Sequence, residues 1–432
     1  MPATPRFVLV TGGSMGDILP YLGLARTIQA LGGDVLLAAS PQVAALALGE
    51  RVPFAPLGVA ATTAATEEVR PSRGRRGFLE LTERWVVAPL AATTAELDGI
   101  VRAGDVIVAH PIQIAGALVA TARRLPWLTV SPATWLFPNS ERMPLYLPRP
   151  SLGRIANRAA WRAFGRTLDR RFLPRVREVA EALGTDLPAA SFLGLCRSPT
   201  QTLVLTSPLF FDGRTLPPSV SVVGLAGWDQ TRVWRSRAPL DRYLDAGEAP
   251  IVFRAPPHLP AQGFRQVAKE VCARLGRRGV YIDFAATETG VDGPLYVDRY
   301  VPLSLVAARA AVGVHYGGIG TAAAFAHAGR PAVVMPSIVD QFETASVLAA
   351  LRVGVRLDWH RVDADRLTRA VRAALGLAGP AAELGTRLRA ERGLRVAAAT
   401  ILATAAEADL PVSARRVPAR PTPAAGGRDR AG

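Results

Sequence analysis

Short apolar runs alternate with helix-like segments along the chain in two consecutive series. The first series has its apolar runs at residues 7–10, 35–39, 106–109, 127–130 and 202–205. The second has them at residues 251–253, 280–284, 295–297, 312–315 and 331–335. Alternation of this kind predicts parallel, doubly wound sheets. Because single cores stop growing at about 250–300 residues, a chain of 432 residues is expected to form two such α/β domains.

The domain boundaries follow from where the alternation stops. We predict a first domain over residues 1–215 and a second over residues 249–390, joined by a linker at 216–248 that is rich in Pro, Gly and Trp. A C-terminal helix is expected at 391–410. Residues 411–432 have too little apolar content to form a core, so we expect them to be disordered.

The composition limits the function classes. The chain carries 51 basic and 35 acidic residues, for a net charge of +16. No helix-turn-helix, zinc-finger or RNA-binding signature accompanies this charge, so nucleic acid is not an expected partner. Nucleotide phosphates or an anionic membrane surface are the remaining partners that such a charge favours. The two widely separated cysteines, and the lack of a long apolar leader, favour a cytoplasmic protein.

The first glycine-rich loop, residues 12–20, follows a strand and begins a helix. Its backbone can therefore approach a ligand closely, with free N–H groups directed into the crevice. Asp17 could deprotonate an acceptor hydroxyl there. It could equally be an ordinary acid at a helix N-terminus, stabilised by the helix dipole.

The second glycine-rich loop, residues 314–321, has three glycines and a threonine at another strand-to-helix junction. This arrangement is typical of a diphosphate cradle. Asp340 and Gln341 follow about 20 residues later and could bind neighbouring sugar hydroxyls. The same spacing also fits a loose dinucleotide-binding fingerprint, so an NAD- or FAD-dependent oxidoreductase is an alternative.

Residues 150–184 interleave eight arginines with an apolar row that begins at Leu152 and Ile155. The pattern predicts helices packed on the first sheet with a solvated basic face. Pro174 is expected to divide this segment into two helices. The alternative is an interfacial helix that makes peripheral contact with an anionic membrane.

Other candidate residues lie near strand ends. His110 follows the strand at 106–109, where doubly wound sheets place ligand contacts, although a structural role is also open. Trp135 and Phe137 could line an apolar acceptor pocket or pack in the core. The single D-x-D sequence, Asp363 to Asp365, is expected to cap a helix, and no metal site is expected.

Taken together, these motifs resemble family 1 nucleotide-sugar-dependent glycosyltransferases of the bacterial natural-product and sterol type. The 12–20 loop matches the family's G-S-x-G-D-x-x-P element. Val301-Pro302, the 315–321 loop, Gly329-Arg330-Pro331 and Asp340-Gln341 follow the family's donor signature in order and spacing. The resemblance spans nearly the whole chain and is weakest between about residues 60 and 200.

The resemblance implies a GT-B fold, with two Rossmann-like domains facing across a cleft, and inverting, metal-independent transfer of a hexose from a UDP- or TDP-sugar. The acceptor would be a hydroxyl of an apolar natural product or lipid-like molecule, and no cofactor would be needed. Asp17 would be the general base, with Ser14, His110 and Trp135 on the acceptor side. The donor side would comprise His315, Tyr316, Gly317, Gly318, Gly320, Thr321, Asp340, Gln341 and Arg254.

The sequence departs from the family pattern at three sites. Tyr316 replaces a histidine that faces the phosphates, Leu303 replaces a His or Gln, and prolines 256 and 257 replace a Gly-Ser turn. Tyrosine carries no positive charge and proline has no N–H. Arg254 could compensate as a phosphate clamp. The alternative function is therefore a GT-B homologue with a degenerate donor site, acting as a partner subunit or on another substrate. A homodimer is also compatible with the sequence.

Overall fold

The structure is a computed structural model that describes residues 5–58, 74–134, 136–144, 151–211, 216–229, 234, 238–255, 261–337 and 340–408. Trp135, prolines 256 and 257, and the tail at 411–432 lie outside the described residues. So do residues 409 and 410 of the expected C-terminal helix.

The first sheet has seven strands in the order β3-β2-β1-β4-β5-β6-β7, all parallel. Its strands are β1 Arg6–Val10, β2 Asp34–Ala39, β3 Phe54–Pro56, β4 Val106–Ala109, β5 Trp127–Ser131, β6 Thr202–Val204 and β7 Val220–Val222. The strand β7 extends this sheet beyond residue 215. Alternate residues of β1 enter opposite cores: Val8 and Val10 pack on one face, whereas Phe7 and Leu9 pack on the other.

The second sheet also has seven strands, in the order β10-β11-β9-β8-β12-β13-β14. They are β8 Ile251–Arg254, β9 Gly279–Ile282, β10 Gly290–Asp292, β11 Leu295–Asp298, β12 Val312–His315, β13 Ala332–Val334 and β14 Gly354–Arg356. All pairs are parallel except β10 with β11. The expected doubly wound α/β architecture is confirmed.

Helices cover both sheets. The first region contains α1 Met15–Ala30, α2 Ala44–Gly49, α3 Gly74–Thr82, α4 Leu90–Ile100, α5 Ile114–Ala122, α6 Arg154–Ala182 and α7 Phe192–Leu195. The second contains α8 Ala238–Asp245, α9 Ala261–Leu275, α10 Leu303–Arg309, α11 Ile319–His327, α12 Gln341–Ala350, α13 Ala364–Leu375 and α14 Ala378–Arg389, followed by α15 Gly393–Ala408. Within the described residues, no helix combines the length and the apolar character that crossing a bilayer requires.

The helix α6 corrects two expectations. It runs without a break through Pro174, because Leu168, Phe172 and Val176 continue one buried row on both sides of that residue. Pro174 itself is exposed, so its ring faces away from the core. The start of the expected apolar row does not pack: Leu152 is 51% and Ile155 is 86% exposed.

The final helix, α15, returns to the first domain. Ala397, Ala398 and Ile401 are fully buried in the core that contains Leu22 and Ile28 of α1. The backbones of Gly393 and Gly224 approach so closely that a Cβ on Gly393 would lie 2.4 Å from the Gly224 carbonyl oxygen. The C-terminus of the second domain is therefore anchored to the first.

Candidate active site

The first glycine-rich loop holds Asp17 at the start of α1. Oδ2 of Asp17 accepts hydrogen bonds from the Ser14 backbone N–H at 2.9 Å and from the Ser14 hydroxyl at 2.8 Å. Gly13 precedes them with a φ of +97°, and a Cβ there would lie 2.8 Å from Oδ2. A side chain at position 13 would therefore be strained and would displace the carboxylate.

His110 approaches the other oxygen of the same carboxylate. Its Nε2 lies 3.5 Å from Oδ1 of Asp17, and its Nδ1 accepts a hydrogen bond from the Ile112 N–H at 3.2 Å. Since Nδ1 accepts, a neutral imidazole carries its proton on Nε2, directed at Asp17. His110 is only 1% exposed, so this structure places it beneath the base as a positioning residue and not on the acceptor side.

The electrostatics favour an ionised Asp17. Burial alone would raise the pKa of this carboxyl, but His110 and the two Ser14 donors outweigh it and hold the pKa below its usual range. The side chain keeps 26% of its surface exposed. Asp17 is therefore an accessible carboxylate that is charged at neutral pH, as a general base must be.

The second glycine-rich loop joins β12 to α11. Gly317 has a φ of +94°, and a Cβ there would lie 2.9 Å from Val334 and 3.1 Å from the Gln341 carbonyl oxygen. Gly318 is the N-cap of α11 and supplies no capping side chain. The space beside Gly320 is open, since a Cβ there would meet no atom. The first N–H groups of α11 therefore lie at an uncapped helix N-terminus that suits an anion. Thr321 in this first turn is 7% exposed.

His315 corrects the expected donor contact. It has no exposed surface, its Nδ1 accepts the Gly317 N–H at 3.0 Å, and its ring stacks on Phe325. Burial lowers its pKa to about 3. A neutral, enclosed imidazole cannot reach a bound phosphate, so His315 fixes the loop from below.

Arg254 lies at the end of β8, close to two aromatic rings. Its guanidinium carbon is 4.0 Å from the Phe284 ring centre and 6.0 Å from that of Tyr316. Phe284 in turn stacks on Tyr300 at 6.2 Å. Arg254 is 6% exposed and donates to the Ile282 carbonyl at 3.2 Å. Arg254 therefore holds Tyr316 and Phe284 together, as part of the floor of the loop.

Asp340 and Gln341 begin α12 but differ in environment. Oε1 of Gln341 accepts hydrogen bonds from the Ser337 N–H at 3.0 Å and the Ser337 hydroxyl at 2.9 Å, and its side chain is buried. That carbonyl oxygen is committed to the loop and not to a sugar. Burial, together with the negative charges of Asp17 and Glu343, raises the pKa of Asp340 to about 7. Asp17 and Asp340 therefore lie close enough, from different domains, for their charges to interact.

Glu343, one turn after Asp340, is a residue that sequence reasoning missed. It forms an ion pair with Arg142, and both of its oxygens lie 3.3 Å from the Thr134 hydroxyl. Burial raises its pKa despite Arg142. Its i+3 spacing from Asp340 on one helix face was the available signal. Together, Thr134, Arg142 and Glu343 form an interdomain bridge.

The cleft between the domains is narrow beside this bridge. Thr134 and Phe211 of the first domain line a cavity with Ile319, Asp340 and Glu343 of the second. Its volume is about 30 Å³, room for about one water molecule.

Two other candidate residues lie outside this cavity. Phe137 is buried in the core. The Asp363 side chain caps α13 by accepting the Arg366 N–H at 2.7 Å, so the capping prediction is confirmed.

Known proteins with this architecture share its sequence features. Residues 289–418 match the family described as the C-terminal domain of erythromycin biosynthesis protein CIII-like proteins. The O-mycaminosyltylonolide 6-deoxyallosyltransferase of Streptomyces fradiae is 29% identical over 427 residues, covering 92% of this chain and 96% of that protein. The chain is a glycosyltransferase that resembles natural-product enzymes such as these.

Solved structures confirm the GT-B fold of this glycosyltransferase. The kitacinnamycin glycosyltransferase superposes with a TM-score of 0.69 at 22% identity, covering 93% of this chain and 99% of that one. The spinosyn rhamnosyltransferase SpnG, complexed with thymidine diphosphate, gives a TM-score of 0.63 at 20% identity, with 92% and 99% covered. The second glycine-rich loop also fitted a dinucleotide-dependent oxidoreductase. That alternative does not hold, because the chain is a glycosyltransferase.

Proposed function

We propose that this glycosyltransferase moves a hexose from a TDP- or UDP-sugar to a hydroxyl of an apolar acceptor, with inversion and without a metal ion. The observation that carries the proposal is that a charged base of the first domain, Asp17, interacts electrostatically with Asp340 of the second domain, close to the uncapped N-terminus of α11. Ile319, the first residue of α11, and Asp340 both line the cavity between the domains.

The chemistry follows from that arrangement. The acceptor hydroxyl transfers its proton to Asp17 as its oxygen forms a bond with the anomeric carbon. The bond from that carbon to the diphosphate oxygen breaks, and the nucleoside diphosphate leaves with the electron pair. Helix N–H groups of α11 stabilise the charge that develops on the leaving oxygen. Attack opposite to the leaving group inverts the anomeric centre.

Asp340 supports the donor sugar in this proposal. With a pKa of about 7, its carboxyl group is partly protonated at neutral pH, so it can donate to as well as accept from a sugar hydroxyl. His110 and Ser14 orient Asp17, whereas His315 and Gln341 support the phosphate loop. Tyr316 contributes a hydroxyl where the family has a histidine.

The first test is calorimetric titration with TDP and UDP, using the wild type, Asp340→Ala and Tyr316→Phe. We expect micromolar binding of one nucleotide and weaker binding by both variants. Absence of binding at millimolar concentration would exclude nucleotide-sugar transfer in this form. Asp17→Asn should bind the same nucleotide normally but lose about 10²–10⁴-fold in kcat, measured by chromatography of glycosylated products from a panel of apolar hydroxyl acceptors.

One observation favours the second candidate, a homologue with a degenerate donor site. Arg254, expected to act as a phosphate clamp, is buried and donates to the Ile282 and Ala255 carbonyls. The donor loop therefore lacks the compensation that we expected from that residue. Nucleotide binding separates the candidates, because a partner subunit would retain the fold and bind neither TDP nor UDP.

A further inference from the structure

A second cavity lies outside the interdomain cleft, beside the first half of α6. It has a volume of about 560 Å³ and is lined by Pro138, Asn139, Ser140, Arg154, Arg158, Trp161, Arg162, Gly165, Ser191, Leu193 and Arg197. Pockets that bind small ligands have volumes of about 300–1,000 Å³. No residue of the proposed transfer reaction lines this cavity, so it has no role in the chemistry described above.

The lining is strongly basic. Four arginines surround the cavity, and no carboxylate is among the described residues that line it. Arg154 is paired with the nearby Glu141 at 2.6 Å. Arg158, Arg162 and Arg197 have no carboxylate within 4.0 Å among the described residues. Three uncompensated guanidinium groups around one cavity favour an anionic ligand, and phosphate is the anion that their planar donors bind best.

The cavity also has a rigid floor. Trp161 is buried, and its Nε1 donates to the Arg142 carbonyl at 2.9 Å. Arg197 is partly buried, and burial lowers its pKa. The partial burial of Arg197 distinguishes the cavity from an ordinary solvated helix face, because this charged side chain is partly desolvated without a counter-ion.

Exposed apolar side chains flank the arginines. Leu152 is 51% exposed and Ile155 is 86% exposed, at the start of the helix that carries Arg154, Arg158 and Arg162. A free phosphate ion would gain nothing from these side chains. A lipid headgroup would place its phosphate among the arginines while Leu152 and Ile155 enter the interfacial layer of the bilayer.

We propose that the arginine-lined cavity beside α6 binds the phosphate headgroup of an anionic lipid and thereby holds the protein at a membrane surface. This goes beyond the proposed transfer reaction. It would bring an apolar acceptor dissolved in the membrane near the first domain. The contact is peripheral, because the exposed apolar side chains lie just before α6 and in its first turn.

The test is sedimentation of the full chain with vesicles of phosphatidylcholine alone or with one quarter phosphatidylglycerol. We expect binding only to the anionic vesicles. Arg158→Gln/Arg162→Gln should weaken that binding about 20- to 30-fold, since each basic residue near an anionic surface contributes roughly fivefold. The matched control is Arg166→Gln/Arg170→Gln, which removes the same charge from exposed positions of α6 outside the cavity lining.

Three outcomes would overturn the proposal. One is no binding to anionic vesicles, and another is an equal loss in both double variants, which would indicate diffuse attraction. The third is calorimetric binding of inorganic phosphate with no vesicle binding, which would indicate a soluble phosphate ligand. Ile155→Gln provides a further check, because it should weaken vesicle binding while leaving all arginines in place. Thermal melts monitor folding of each variant.

Discussion

At the scale of single residues, the pKa values of Asp17 and Asp340 are shifted in opposite directions. Asp17 has a lowered pKa because His110 lies beside it and Ser14 donates to it, whereas Asp340 has a raised pKa because it is partly buried and lies near the negative charge of Asp17. Opposite shifts in neighbouring groups separate a base from a hydrogen-bond donor in many active sites. Here they favour Asp17 as the base and Asp340 as the sugar ligand.

Asp340 should reduce stability in the absence of ligand. Its pKa is about 7 in the folded protein and roughly 3.9 when unfolded, so the folded state binds more protons between those values. Stability contributed by this residue is present at low pH and lost as the pH rises towards 7. Asp340→Asn should therefore raise the free energy of unfolding by about 1–3 kcal/mol at pH 8.

Chemical denaturation of the wild type and of Asp340→Asn at pH 8 and pH 4 measures this difference in the free energy of unfolding. At pH 4 the two should differ little, because the wild-type carboxyl is then protonated in the folded state. An equal gain at both pH values would mean that the charge of Asp340 is not the cause. The same variant should bind nucleotide sugar less well, so stability and function are expected to change in opposite directions.

At the scale of elements, the glycine-rich loop before α11 contains one glycine that the fold requires and another that ligand binding is expected to require. Gly317 has a φ of +94° and is closely packed, whereas a Cβ on Gly320 would meet open space. Gly317→Ala should lower the free energy of unfolding by about 1–3 kcal/mol, because it adds both strain and a clash. Gly320→Ala should not lower it, since alanine favours a helix.

Gly320→Ala should nevertheless weaken TDP binding at least tenfold, because its methyl group would stand between the helix N-terminus and the phosphates. Thermal melts and calorimetry of both variants test the pair. Normal TDP affinity in Gly320→Ala would show that the phosphates do not lie on the N-terminus of α11. Normal stability in Gly317→Ala would show that the loop relaxes easily.

The sequence predicted the elements with long apolar runs and missed those without them. All ten expected strands are present, because parallel strands buried on both faces are apolar throughout. The missed strands β3, β7, β10 and β14 have three residues each, too few for a period to be recognised. The helix α6 was wrongly divided at Pro174, since tertiary packing outweighed the local cost of a proline.

In the site, sequence order placed the two glycine-rich loops correctly at strand-to-helix junctions, but it could not give the direction of every side chain. His110, His315 and Arg254 are all buried, and a polar residue beside a loop has the same sequence signal whether it faces the ligand or supports the backbone. Glu343 was missed because its partners, Thr134 and Arg142, lie about 200 residues away in the other domain.

At the scale of the whole molecule, α15 connects the two domains. Its residues Ala397, Ala398 and Ile401 complete the core beneath α1. Deleting everything after Arg392 should expose that core and lower the melting temperature by 5 °C or more, or prevent soluble expression. Deleting only residues 409–432 is the matched control and should leave the melting temperature unchanged. Equal melting temperatures for the two truncations would show that α15 is dispensable.

The interdomain bridge also affects the whole molecule, because it links the two domains beside the cavity that lies between them. Glu343 is only 15% exposed on its side chain and is paired with Arg142. Arg142→Gln would leave a partly buried carboxylate without its cation, at a cost below the ~3–5 kcal/mol typical of fully buried pairs. Separation of the domains relieves that cost, because Glu343 then regains water.

Arg142→Gln should therefore increase the radius of gyration measured by small-angle X-ray scattering, whereas Thr134→Val, which removes one weaker hydrogen bond, should change it less. Glu343→Gln in the Arg142→Gln background removes the buried charge and should restore the compact form. An unchanged radius in Arg142→Gln would mean that core packing through α15, and not the bridge, keeps the cleft closed. A larger radius that the second substitution does not reverse would mean that Arg142 acts through contacts other than Glu343.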